Sequence, residues 1–136
     1  MVRIETRYEG DLHTSCLHEP SGCRLSTDAP RDNEGRGESF SPTDLLATAL
    51  ATCILTVMGI VARRHDWKLE GARALVEKHM VTEPRRRVGR LVVRVEMPAG
   101  LPVTARTVLE RAAQTCPVKQ SLHPDLAVEL AFAWGD

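Results

Sequence analysis

Cys116 is a candidate for thiol chemistry because the stretch QTCPVKQSL, residues 114 to 122, places it directly before a proline. Proline lacks the amide hydrogen that a continuing helix needs and disfavours α conformation in the residue before it. One helix should therefore end at Cys116 and a second begin at Pro117. A thiol at that cap faces unpaired backbone amides and the positive end of the helix dipole, and both stabilise a thiolate. These residues leave two interpretations open: a reactive thiol, or a small hydrophobe buried at a helix junction.

Cys53 lies in the middle of the uncharged segment 45–62, which is followed by Arg63 and Arg64. The 18 residues of this segment reach the lower limit for a membrane span, but three threonines and a glycine dilute it. The flanking segments have the pattern of sheet that needs a helix as cover, so we expect a buried core helix. A cysteine inside such a helix usually packs as a small apolar residue, and taken alone Cys53 gives little sign of reactivity.

Two further cysteines lie between histidines near the start of the chain, in the order His13, Cys16, His18 and Cys23. These are four potential zinc ligands within eleven residues. Their spacing matches no common zinc pattern, and the alternation of a strand would place His13 and Cys16 on opposite faces, so we expect no metal site. All four cysteines are expected to begin as free thiols in a reducing compartment, since a chain of this length needs no disulfides.

The elements that must position these cysteines begin with an antiparallel meander. Alternation of apolar and polar residues predicts a strand over 2–8 and another over 12–17, and the turn PSG leads into a third over 23–27. Residues 27–41 are rich in Asp, Asn, Gly and Pro, which favour turns. They predict a long exposed loop.

A long helix should follow, because SPTD at 41–44 has the features of a helix start. Ser41 is the predicted N-cap, Pro42 takes the first helical position, and Asp44 complements the dipole in the first turn. Apolar spacing continues to about Arg64, with little that is polar on any face. Such a helix must be covered nearly all round.

The second half of the chain alternates strands and helices. Residues 67–81 and 90–97 predict a hairpin, and 103–115 predict a helix by their apolar spacing. A short helix over 117–123 and a strictly alternating strand over 126–134 complete the chain. The order is typical of an α+β fold with antiparallel sheet packed on helices.

Length and composition bound the class of protein. At 136 residues the chain fits a single domain, residues 1–136, able to bury roughly two-thirds of the surface that it exposes when unfolded. Eighteen basic and eighteen acidic residues give a formal net charge of zero, and the sequence has no run of five like charges, so we expect no nucleic-acid partner. Charges at positions 3, 5 and 7 interrupt any signal-peptide core, which favours a cytoplasmic location and no membrane partner.

Two motifs together resemble a known family. FSPTDLLATALATC at 40–53 is followed 63 residues later by CPVKQSL at 116–122. In type, order and spacing they are similar to motifs of the OsmC-like family, relatives of the osmotically inducible protein C and the organic hydroperoxide resistance proteins. The order of strands and helices resembles that family over almost the whole chain. The resemblance implies a homodimer of intertwined subunits, in which antiparallel sheets pack on long central helices and each site is built from both chains.

The resemblance also implies a cysteine-based peroxidase that reduces organic hydroperoxides and is restored by an unidentified thiol reductant. Cys53 would attack the peroxide oxygen and become a sulfenic acid, and Cys116 would condense with it as a disulfide. Asp44 is carried over as a third catalytic residue. No metal, flavin or haem is expected.

The sequence departs from the hydroperoxide resistance proteins at two points. Thr43 stands where those enzymes have a glutamate directly after the helix-opening proline. They also hold the reactive cysteine as a thiolate with an arginine from the N-terminal strands, and here the candidates are Arg24 and Arg36, with His13 as a replacement.

The preferred substrate and an alternative function follow from pocket chemistry. Leu50, Ile54 and Val57 would offer apolar walls to an alkyl chain, which favours organic hydroperoxides over hydrogen peroxide. The alternative is a dimeric binding protein that takes up a hydrophobic small molecule without turning it over.

Overall fold

The computed structural model describes residues 1–135, which divide into two compact units. One unit is Met1–Leu46, and the other is the described chain after Leu46. Three strands, a short 3-10 helix and a long helix are followed by two strands, two helices and a last strand. The predicted α+β class is therefore confirmed, while a single domain over 1–136 stays a prediction.

The first unit is built on an antiparallel sheet in the order β1 (Ile4–Gly10), β2 (His13–His18) and β3 (Arg24–Asp28). A tight turn joins β1 to β2, where Asp11 and Leu12 both have positive φ angles, 52° and 60°. Because side chains alternate across a strand, the register gives the sheet one mainly charged face and one face of apolar and hydroxyl side chains. The predicted meander is confirmed.

The loop after β3 contains a short 3-10 helix (Arg31–Asn33) and then returns to the end of β3. The backbone N–H of Asp28 donates to the carbonyl of Phe40 at 3.1 Å, and the hydroxyl of Ser39 donates to the carbonyl of Ser26 at 2.9 Å. The loop is largely exposed, as predicted, but these bonds hold its last residues against the strand.

Helix α1 (Pro42–Arg64) begins and ends at the predicted residues. The N–H of Asp44 donates to Oγ of Ser41 at 3.1 Å, and the N–H of Ser41 donates to Oδ2 of Asp44 at 2.9 Å. This reciprocal arrangement is a capping box, and it places the carboxylate at the positive end of the dipole. Ser41 is only 1% exposed, so water competes little for the cap.

One face of α1 is buried, while much of its remaining surface is not. The buried residues are all small or apolar: Ala47, Leu50, Ala51, Ile54, Met58 and Ala62. By length and composition the helix could cross a membrane, with a mean hydropathy of 2.3 over the tested window, of which 33% is buried. The buried face supports a core helix. The rest of its apolar surface is not buried within the single chain and needs a further surface to cover it.

The second unit contains a sheet in the order β4 (Arg73–Val81), β5 (Arg87–Glu96) and β6 (Ala127–Ala133). β4 and β5 form the predicted antiparallel hairpin, but β6 pairs with β5 in parallel. The prediction of antiparallel sheets is wrong for this pair. Between β5 and β6 the chain passes through two helices, which supply the long crossover that a parallel pair requires.

The two crossover helices are α2 (Val103–Gln114) and α3 (Pro117–Ser121), close to their predicted bounds. The predicted start of β4 at Trp67 is wrong by six residues, since the strand begins at Arg73. The intervening segment turns instead: Ala72 donates its N–H to the carbonyl of Leu69 at 3.0 Å, and Gly71 has a positive φ of 92°.

Candidate thiol site

The two cysteines that the sequence singled out lie side by side in the second unit. Cys53 is half-buried in the middle of α1, and Cys116 stands between α2 and α3 with no exposed surface. Both are free thiols, and Cys53 lies close enough to raise the pKa of the Cys116 thiol. The contact brings together two sulfur atoms that are 63 residues apart in sequence, which is the first condition for disulfide chemistry.

The sequence around Cys116 explains its position. The last turn of α2 ends at Thr115, whose hydroxyl donates to the carbonyl of Ala112 at 2.7 Å. Cys116 leaves helical geometry, with φ −50° and ψ 122°, and Pro117 opens α3. The Sγ atom of Cys116 accepts a hydrogen bond from the N–H of Lys119 at 3.4 Å, so the thiol is the side-chain cap of α3.

The electrostatics of Cys116 differ from what its position at a helix start predicts. Burial raises the pKa of the Cys116 thiol, and the neighbouring Cys53 raises it further. The N–H groups of Lys119 and Val118 act in the opposite direction but do not outweigh the burial. The helix start therefore acts in the predicted direction, but the loss of contact with water outweighs it, and the net shift is upward. Cys116 is held as a neutral thiol.

Asp44, the third predicted site residue, lies in the first unit as part of the capping box of α1. The hydroxyl of Thr43 lies 3.2 Å from that of Ser41, so Thr43 joins the same polar cluster. A catalytic role of Asp44 stays a prediction.

His13 has a partner that sequence reasoning missed. Its Nδ1 lies 2.5 Å from Oδ1 of Asp28, and Asp28 is only 3% exposed. The hydrogen bond with His13 holds the pKa of the Asp28 carboxyl below its usual range. The register pairs His13 directly with Asp28 across β2 and β3. The pair could have been predicted from the sequence, because a histidine and an acidic residue stand at the ends of two strands that are predicted to be neighbours.

The two candidate arginines lie in different places on the first unit. Arg36 donates to Oδ2 of Asp11 at 2.8 Å, an exposed ion pair between the long loop and the first turn. Arg24 lines a groove of about 390 Å³ on the charged face of the sheet, together with Glu5, Arg7, Ser15 and Leu17. Neither observation selects one of them as the cation for a thiolate.

Within residues 1–135 the structure contains no group of three or more His, Cys, Asp or Glu side chains able to hold a metal ion. His13 is engaged with Asp28, and the alternation of β2 turns Cys16 toward the opposite sheet face. His13 and Cys16 of the H-x2-C-x-H-x4-C pattern therefore do not face a single metal site.

The three residues predicted to form apolar walls for an alkyl chain differ in how accessible they are. Leu50 and Ile54 have no exposed surface, whereas Val57 is half-buried. A groove of about 420 Å³ lies further along, at the C-terminal end of α1. Its apolar lining includes Leu55 and Leu69.

Solved structures show the same fold. A Mycoplasma pneumoniae OsmC-like protein shares 14% identity with a TM-score of 0.83, covering 100% of this chain and 98% of that one. The organic hydroperoxide resistance protein OsmC of Legionella pneumophila shares 19% identity with a TM-score of 0.76, covering 98% and 96%. A Psychrobacter arcticus 273-4 protein, named for osmotic stress induction and a detoxification response, shares 41% identity with a TM-score of 0.92, covering 98% and 96%.

The model of the OsmC-like protein family matches residues 35–131, a span that includes Asp44, Cys53 and Cys116. The chain belongs to the OsmC-like family. Among proteins of curated function, none matches this sequence significantly.

Proposed function

We propose that this protein is a thiol peroxidase that reduces organic hydroperoxides. The neighbouring pair of free thiols at Cys53 and Cys116 carries the proposal. A half-buried thiol beside a fully buried one supplies both parts of a two-cysteine reduction, an attacking sulfur that a small peroxide can reach and a second, neighbouring sulfur that can resolve it.

The reaction takes two steps at the thiols. The thiolate of Cys53 attacks one oxygen of the hydroperoxide, the O–O bond breaks, and the departing alkoxide takes up a proton to leave as an alcohol. Cys53 is then a sulfenic acid. Cys116 attacks its sulfur, the disulfide forms, and the hydroxyl leaves with the proton of Cys116 as water. An external thiol reductant supplies two electrons and two protons to restore both thiols.

Assignment of Cys53 as the attacking residue rests on the different environments of the two thiols. Attack requires a thiolate, and burial raises the pKa of Cys116, which disfavours that form. Resolution of a sulfenic acid needs a thiol in contact with it, which suits the buried neighbour. Cys53 also retains exposed surface through which a peroxide can approach.

The test compares Cys53→Ser with Cys116→Ser, and Cys23→Ser is the control because Cys23 is an exposed free thiol outside the pair. Cys53→Ser should consume no peroxide. Cys116→Ser should consume about one equivalent and trap a sulfenic acid at Cys53, detected by dimedone labelling and mass spectrometry. Turnover by Cys53→Ser without turnover by Cys116→Ser reverses the roles, and turnover by both refutes the mechanism.

The same proposal includes a cytoplasmic homodimer that works without metal, flavin or haem, with Asp44 as a supporting carboxylate. Organic hydroperoxides are the proposed substrates because the surface next to Cys53 on α1 is apolar at Val57. Stopped-flow rates with cumene hydroperoxide should exceed those with hydrogen peroxide. The reverse order would remove the substrate assignment.

The groove at the end of α1 supports a second candidate function, binding of a hydrophobic small molecule without turnover. Gly59 leaves room in this groove, since the nearest atom to an added Cβ would be Cδ2 of Leu69 at 3.9 Å. Gly59→Phe should abolish uptake of an apolar fluorescent probe if the groove binds ligands. Unchanged uptake would exclude the groove.

A further inference from the structure

The buried carboxylate of Asp28 has no part in the thiol reaction. Asp28 ends β3 and is 3% exposed. Its Oδ1 lies 2.5 Å from Nδ1 of His13, and its Oδ2 accepts a hydrogen bond from the N–H of Glu38 at 3.1 Å. Burial of a carboxylate costs free energy unless such partners hydrogen-bond to it, so we expect both bonds to persist in the folded protein.

The same strand end holds the segment that leads into α1. The N–H of Asp28 donates to the carbonyl of Phe40, and the hydroxyl of Ser39 donates to the carbonyl of Ser26. Three bonds therefore fix residues 38–40 along the end of β3. The next residue is Ser41, the buried half of the capping box.

A continuous path of hydrogen bonds and short backbone runs thus leads from His13 to Asp44. It passes from His13 to the Asp28 carboxylate, from there to residues 38–40, and through Ser41 to the first turn of α1. The capping box can form only when Ser41 and Asp44 face each other, and the position of Ser41 is set by the segment before it.

We propose that His13 and Asp28 are a positioning pair that fixes the first turn of α1, and that they thereby set the rate at which Cys53 on the same helix reacts with peroxide. The kinetic half of this inference rests on the proposed peroxidase function. The positioning half rests on the hydrogen-bond path alone. Neither residue needs to contact the peroxide.

Amide hydrogen exchange tests the positioning half in His13→Gln, with His18→Gln as the matched control. His18 lies on the same strand, but its Nδ1 contacts the hydroxyl of Ser21 and not the segment 38–44. Exchange at the amides of Glu38 and Asp44 should be at least about tenfold faster in His13→Gln and unchanged in the control. Unchanged exchange in His13→Gln overturns the proposal. If His13→Gln fails to fold, Asp28→Asn, which keeps the side-chain shape, serves in its place.

A double-mutant cycle tests the kinetic half. His13→Gln should slow sulfenic acid formation at Cys53 by about tenfold, since small displacements of a reacting group can reduce rates by that much or more. If His13 acts through the first turn of α1, His13→Gln should slow the reaction little further in a protein whose first turn is already loosened by Asp44→Asn. Fully additive effects overturn the inference.

The two proposals can fail separately. Wild-type protein that consumes no hydroperoxide refutes the peroxidase function and with it the kinetic half, while the exchange rates still decide the positioning half. Active wild-type protein with an equally active His13→Gln variant refutes the kinetic half and leaves the peroxidase standing.

Discussion

Replacement of Cys116 by serine or by alanine distinguishes a capping thiol from a small buried hydrophobe. Sγ of Cys116 accepts the N–H of Lys119 at 3.4 Å, and the residue has no exposed surface. A serine hydroxyl can take over the cap, whereas alanine leaves the Lys119 amide without that acceptor. If the cap matters more than the apolar contacts, Cys116→Ser should be the more stable variant.

The expected difference follows from the two competing effects. Loss of an N-cap by substitution with alanine costs about 1 kcal/mol of stability. The free energy of unfolding of Cys116→Ser should therefore exceed that of Cys116→Ala by about that amount. If the thiol were only a hydrophobe, an uncompensated buried hydroxyl would cost roughly 1 to 3 kcal/mol and the order would reverse. The two interpretations therefore predict opposite signs.

Cys53 provides the matched control for this comparison. It lies inside α1, where serine has a helix propensity about 0.5 kcal/mol poorer than alanine and has no helix start to cap. Cys53→Ala should therefore be more stable than Cys53→Ser. Urea denaturation of the four variants under reducing conditions gives both differences. Greater stability of Cys116→Ala than of Cys116→Ser would refute the capping argument.

Two further predictions concern assembly and acid stability. The uncovered apolar surface of α1 should be buried in a homodimer, so light scattering should give about twice the 15.0 kDa chain mass, and a stable monomer at micromolar concentration would contradict this. Because the pKa of Asp28 is lowered in the fold, its stabilising contribution should be complete above the usual carboxyl range and disappear as the pH falls through the lowered value. The stability gap between wild type and Asp28→Asn, followed by circular dichroism, should shrink below about pH 4; a constant gap down to pH 2 would exclude this linkage.

Most helices and strands could be predicted because the residues that start, end and pattern each of them are close together in the sequence. The proline after Ser41 and the unbroken apolar spacing set both ends of α1, and Pro117 separates the last two helices. The parallel pairing of β6 with β5 was missed because strand direction depends on how the intervening helices cross the sheet. Alternation within a strand carries no information on that direction.

The candidate site was predictable only in part for a related reason. Motif spacing singled out Cys53 and Cys116, and their contact agrees with that choice. The protonation state of Cys116 could not be predicted, because the backbone amides that stabilise a thiolate are visible in sequence whereas burial depends on the packed structure. Asp28 was missed because it becomes notable only when β2 and β3 are placed in register.

Burial of Cys116 also bears on how the two thiols divide their work. A fully buried neutral thiol is a poor first nucleophile but is protected from direct oxidation, since susceptibility follows thiolate character and exposure. In the proposed mechanism it would stay reduced until Cys53 has reacted, and it would then meet the sulfenic acid as a neighbour already in place. The difference in exposure between two neighbouring thiols is thus the physical reason for the proposed order of events, peroxide at Cys53 before the disulfide.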